Sequence, residues 1–135
     1  MKKTGYEHEN LKVTPWFHWG LNVEDAREFF FVTGQCDFDK NGVTKCMNDP
    51  VGQTRVILEQ IEQTYTQAGY KRNNIIGINW CVTKGVTEEQ TAEILAVWAE
   101  FIKDVEVKPA GGIWKRIEGL IHPNMLVELE LTLGR

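Results

Sequence analysis

The sequence predicts a two-layer α/β (α+β) sandwich of order ββαβαββ, with two helices on one face of a mixed sheet. Three observations carry this. Met125 to Arg135 alternate, with Val127, Leu129, Leu131 and Leu133 on one side and Leu126, Glu128, Glu130 and Thr132 on the other. Two stretches carry apolar residues at helical spacing behind capping residues. A strand-like run, Ile75 to Thr83, separates them, and two amphipathic helices around a strand bury their stripes most simply against one sheet.

Each element has its own warrant. Residues 1–10 are polar and are expected to be loosely held. Residues 16–23 and 28–33 read as strands around the acidic turn Glu24-Asp25-Ala26-Arg27, the second stopping at Gly34. Residues 37–48 form a polar loop with a turn at Asn41-Gly42. Asp49-Pro50 starts a helix, a capping side chain followed by proline at the first helical position. Val51, Thr54, Leu58, Ile61, Tyr65 and Ala68 give it one apolar stripe, and Gly69 ends it. The strand from Ile75 is expected to place Ile76, Ile78, Trp80 and Val82 on one side. Thr87 and Gln90 form a capping box for a second helix that buries Thr91, Ile94, Leu95, Trp98 and Phe101 or Ile102. Residues 113–120 read as the next strand, and residues 125–135 as the last.

With 135 residues, the chain is read as one domain with room for a proper core. A net charge of −4 and the absence of any Lys/Arg run argue against a nucleic-acid partner. No apolar run approaches the roughly 20 residues of a membrane span, and the N-terminus lacks the apolar stretch of a signal peptide. Cys36, Cys46 and Cys81 form no CxxC pair and are read as reduced thiols in a cytoplasmic protein. His18 and His122 are isolated, so neither a metal nor another cofactor is expected. The two helices leave one sheet face uncovered. Some combination of Trp16, Phe17, Trp19, Phe29 to Phe31 and Trp114 is expected there, an apolar patch that self-association would bury.

Three stretches carry a family likeness: Gln53-Thr54-Arg55-Val56-Ile57-Leu58-Glu59-Gln60-Ile61 running on to Ala68-Gly69, Val32-Thr33-Gly34-Gln35, and Pro123-Asn124-Met125-Leu126-Val127-Glu128-Leu129-Glu130. From about Pro15 onward the chain resembles the RidA/YjgF family, also labelled endoribonuclease L-PSP or translation initiation inhibitor. The resemblance implies a chorismate-mutase-like fold, a homotrimer with ligand clefts between subunits, and hydrolysis of reactive enamines and imines to a ketoacid and ammonia. It assigns Glu128 to positioning or activating the attacking water. It places Trp16 at a cleft-lining aromatic position and Thr33-Gly34 where a hydroxyl and backbone groups meet a ligand.

One position departs from the pattern. Deaminating members read Pro-Ala-Arg where this chain has Pro109-Ala110-Gly111, and a glycine cannot grip a substrate carboxylate as a guanidinium fork does. Leu95 stands where an asparagine is frequent. Lys115 and Arg116 follow on opposite faces of one strand, and either is a candidate replacement cation; Trp114 shares the face of Arg116. The candidate site is therefore Glu128 as catalytic residue, with Trp16, Thr33, Gly34, Gly111, Trp114 and Arg116 for substrate. The reading is a trimer binding a small metabolite and hydrolysing an imine, enamine or related C–N bond. The alternative is a non-catalytic binding or regulatory module. An endoribonuclease ranks last, because the sequence offers no basic groove.

Overall fold

The computed structural model describes residues 1–135. The strands are β1 (Lys2–Tyr6), β2 (Gly20–Glu24), β3 (Phe29–Gln35), β4 (Ile75–Thr83), β5 (Ala110–Ile117) and β6 (Val127–Gly134), with helices α1 (Pro50–Gln67) and α2 (Glu88–Phe101). Four strands form the main sheet in the order β3-β6-β4-β5; β4 and β5 run parallel and the other pairs antiparallel. β1 and β2 form a separate antiparallel ribbon.

Capping fixes both helix starts. The Asp49 carboxylate accepts the Gly52 N–H at 2.9 Å, with Pro50 at the first helical position. Thr87 and Gln90 close their reciprocal box at 3.1 and 2.9 Å. The helices lay Ile57, Leu58, Ile61, Tyr65, Ile94, Trp98 and Ile102 against Val127, Leu129, Leu131, Leu133, Ile78, Trp80 and Val82 of the sheet. All four odd-numbered positions of β6 are fully buried, and its alternation holds from Val127 to Leu133. No helix is long and apolar enough to cross a membrane.

The N-terminal third departs most from expectation. Residues 1–10 are not loose throughout, since Lys2–Tyr6 pair with Gly20–Glu24. The Lys3 ammonium donates to the carbonyls of Ile75 and Val107 at 3.3 and 2.9 Å, tying the ribbon to the body. The strand expected over 16–23 begins only at Gly20, because the Thr14 hydroxyl holds residues 14–17 in a turn, accepting the Trp16 N–H and donating to the Phe17 carbonyl. β3 runs past Gly34 to Gln35 through a register slip: Val32 pairs with Leu131 but Gln35 with Leu129, three residues against two.

β5 starts three residues before the expected 113, since Gly111-Gly112 lies within the ladder instead of forming a turn. In β4 it is Ile75, not Ile76, that is buried, because the strand slips against β6 between Ile75 and Gly77. Trp16 and Trp114 pack against the helix-side core, leaving Phe29 and Phe31 as the exposed aromatics of β3 on the uncovered face.

Candidate functional site

The sheet separates the candidate residues into two groups. On the uncovered face, Cys81 of β4 pairs with Lys115 of β5 on one side and with Glu128 of β6 on the other. Adjacent strands are about 4.8 Å apart, so the three side chains form one row across the sheet. The row continues onto β3, where Gly34 lies beneath the Glu128 carboxylate. A Cβ on Gly34 would stand 2.5 Å from Glu128 Oε1. That close approach accounts for glycine at the slip between β3 and β6. Thr33 sits at the same slip and is exposed.

Glu128 is half-buried and takes part in none of the six ion pairs. Its nearest polar company is thiol. Burial pushes the Cys36 thiol up to about 12, with the charge and hydrogen bonding of Glu128 adding to the effect. Cys81 is also raised, first by burial and then by Glu128 and Glu130, while Lys115 opposes them. Both thiols therefore stay protonated at neutral pH, as weak donors beside the carboxylate rather than as nucleophiles. Glu130, two residues on, is tethered. Asn79 donates to its Oε1 at 3.0 Å and accepts the Ile113 N–H at 3.0 Å. Of the two carboxylates on this strand face, Glu128 is the one free of side-chain hydrogen bonds to other strands.

The second group lies on the helix side. Trp16, Gly111, Trp114 and Arg116, with Leu95 and Trp98 of α2 and Trp80 of β4, line a cavity of about 330 Å³ at the β5 edge. The rings of Trp80 and Trp98 meet edge to face with centroids 6.1 Å apart, and those of Trp80 and Trp114 lie 5.3 Å apart at 32°. Gly111 is roofed by Phe17, since a Cβ there would stand 2.9 Å from the phenyl ring. Arg116 donates to the Val86 carbonyl at 2.7 Å and to the Thr91 hydroxyl at 2.8 Å. Lys115 thus belongs to the row containing Glu128, and Arg116 belongs to the cavity.

The sequence reading located these residues but could not sort them by face. Pairing of Glu128 with Lys115 or Arg116 across a neighbouring strand is readable from the sequence, but the strand order sets Cys81 of β4 between Lys115 and Glu128 and turns Arg116 to the other face. Cys81 beside Glu128 and Thr91 as an anchor for Arg116 have no local signal. The parity of β4 and β5 would place Cys81 and Lys115 together once the register is known, but register is a tertiary property.

Residues 13–133 match the family model described as Endoribonuclease L-PSP. The chain belongs to this family, the Rid/YjgF family. No curated protein matches it. Among solved structures, the Rid-family protein YyfB from Yersinia pestis, a protein of unknown function, superposes with a TM-score of 0.88 at 18% identity, covering 100% of both chains. A putative endoribonuclease from Thermotoga maritima gives 0.66 at 14% identity, covering 97% of this chain and 91% of its own. Yeast Mmf1 gives 0.65 at 14% identity, covering 98% of each. At such identities the likeness establishes the Rid fold and says nothing of the chemistry of this Rid-family chain.

Proposed function

We propose that this Rid-family chain forms a homotrimer in the cytoplasm that binds a small metabolite in clefts between subunits and hydrolyses a C–N double bond there. Glu128 orients the attacking water and takes its proton. The water oxygen adds to the imine carbon and its first proton passes through Glu128 to nitrogen. The adduct's hydroxyl then gives up its proton, again through Glu128, to the amino nitrogen as the C–N bond breaks, releasing ammonia and leaving a carbonyl. Trp16, Thr33, Gly34, Gly111, Trp114 and Arg116 shape the cleft. The observation that supports the reading is the half-buried Glu128 carboxylate, held above Gly34, in no ion pair and with only protonated thiols beside it. The three unbridged thiols fit a reducing compartment.

The Phe17 ring over Gly111 favours a second reading, a binding module without turnover, because nothing at that position grips a carboxylate. Ammonia release from freshly generated 2-aminoacrylate and from neutral imines separates the two. Glu128→Gln is expected to abolish release on any imine that the wild type turns over. Equal rates for the two proteins eliminate Glu128 as the water-orienting group, and no turnover on any imine favours the binding module.

A further inference from the structure

We infer that the tryptophan-lined cavity beside β5 binds a planar aromatic ring carrying a carboxylate, the ring between the indole walls and the carboxylate on Arg116. The inference deepens the proposed cleft by naming the ligand class of its helix-side half. It rests on that reading only in treating the cavity as part of a larger site.

The wall chemistry selects the ring. Four of the five tryptophans, Trp16, Trp80, Trp98 and Trp114, line one cavity. At about 330 Å³ it lies at the lower end of the roughly 300–1,000 Å³ typical of small-molecule sites. Trp80 and Trp98 are buried against one another, with Trp114 against Trp80, and form the floor. The π surfaces open to a ligand are therefore those of the partly exposed Trp16 and Trp114, which favour another aromatic ring over an aliphatic one of equal area. The Trp114 indole N–H is buried in this wall and the chain supplies no acceptor for it.

The polar end selects the anion. Arg116 is in none of the six ion pairs. Its guanidinium is held by two neutral acceptors, the Val86 carbonyl and the Thr91 hydroxyl, which fix its plane without neutralising its charge. A guanidinium has five N–H donors, so an edge remains free to take both oxygens of a carboxylate. A fixed, uncompensated cation at the mouth of an aromatic cavity is complementary to an aromatic acid.

The test is calorimetric titration of the whole chain with indole-3-acetate, indole-3-acetamide and cyclohexylacetate, followed in parallel by tryptophan fluorescence. Indole-3-acetate is expected to bind about tenfold or more tightly than the amide, which lacks the charge. It is expected to bind several-fold more tightly than cyclohexylacetate, which lacks the π face. Arg116→Gln should erase the first difference, and Leu95→Trp should fill the cavity and abolish binding. Equal affinity for acid and amide in the wild type overturns the inference, a comparison that needs no variant to fold. Absence of binding in a protein that still hydrolyses imines overturns it and leaves the proposed function standing. Binding in a protein with no hydrolytic activity supports it alone.

Discussion

Gln53 is a buried amide whose replacement should cost more than most core changes, and its hydrogen bonds say why. Its Nε2 donates to the carbonyls of Cys46 and Asn124 at 3.0 and 2.9 Å, and its Oε1 accepts the Leu126 N–H at 2.9 Å. The side chain is fully buried, and Leu126 lies two residues before Glu128. Gln53→Leu keeps the approximate volume but leaves the Leu126 N–H and the Asn124 carbonyl without partners, while the Cys46 carbonyl keeps only the Asp49 N–H at 3.4 Å. An orphaned buried group costs about 1–3 kcal/mol, and the Cys46 carbonyl, which keeps a donor, adds little to that. Against this, the variant is spared about 1 kcal/mol of side-chain ordering. The net loss is about 2–4 kcal/mol, a large share of the roughly 5–15 kcal/mol that holds a domain together, and near 8–15 °C in Tm. Urea unfolding followed by tryptophan fluorescence measures it. Gln53→Glu adds a signed check: burial and the two facing carbonyls raise the folded-state pKa of the new carboxyl. Its contribution is therefore present at low pH and lost as pH rises through that value, so Gln53→Glu should lie nearer the wild type at pH 4 than at pH 8. A loss below about 1 kcal/mol for Gln53→Leu with an unchanged urea slope would refute the reasoning.

Gly34→Ala places a Cβ 2.5 Å from Glu128 Oε1 and 3.3 Å from Cδ, so the flexible carboxylate yields rather than the backbone; stability should move by less than about 1 kcal/mol while imine hydrolysis falls about tenfold or more. Arg72 holds the Glu62 carboxyl below the usual range through paired 2.7 Å hydrogen bonds, a contribution present above the ordinary carboxylate pKa and lost as pH falls through the lowered one. The pair is a third to a half exposed, so screening limits it to about 0.5 kcal/mol, and the urea midpoints of wild type and Glu62→Gln should converge toward pH 3. Glu128→Gln and Leu95→Trp, each inactive alone, should recover roughly a quarter of wild-type hydrolysis when refolded together, if each site joins the open face of one subunit to the β5 edge of the next. No recovery would place both halves within one subunit.

What the sequence made legible was whatever depends on local periodicity. β6 alternates over its whole length because one face is fully buried, and both helices announce their starts with capping side chains and their faces with spacing. What it concealed depends on partners distant in the chain. β1 is a polar strand without alternation, held by pairing with residues 20–24 and by a lysine reaching the carbonyls of Ile75 and Val107, none of which leaves a local signature. Gly111-Gly112 reads as a turn by composition. In the structure the pair is required by close packing, since a Cβ on Gly112 would collide with the Asn79 side chain and the Ile78 carbonyl. The candidate residues were identifiable one by one through the family pattern. Their division between two faces was not, because it turns on the strand order and on slips at Gly34, Ile75 and Ile78 that only the assembled sheet fixes.

That division constrains any chemistry the chain performs. Glu128 stands on the open face, while Arg116 and the four tryptophans stand on the other, with the sheet itself between them. A metabolite small enough for the cavity cannot pass through a hydrogen-bonded sheet to meet both groups within one copy. The cavity opens at β5, an edge strand whose Gly111, Gly112 and Ile113 are exposed, and the open face carries exposed Phe29 and Phe31. Beyond Ala110, which bridges to His18, the β5 edge is unpaired. Such an edge and an apolar face on one molecule are each costly to leave in water, and the proposed head-to-tail association would cover both at once. In the proposed trimer, closure of that contact into a ring gives every cleft one Glu128 and one tryptophan cavity. This is the physical reason for treating association and function in this chain as one question.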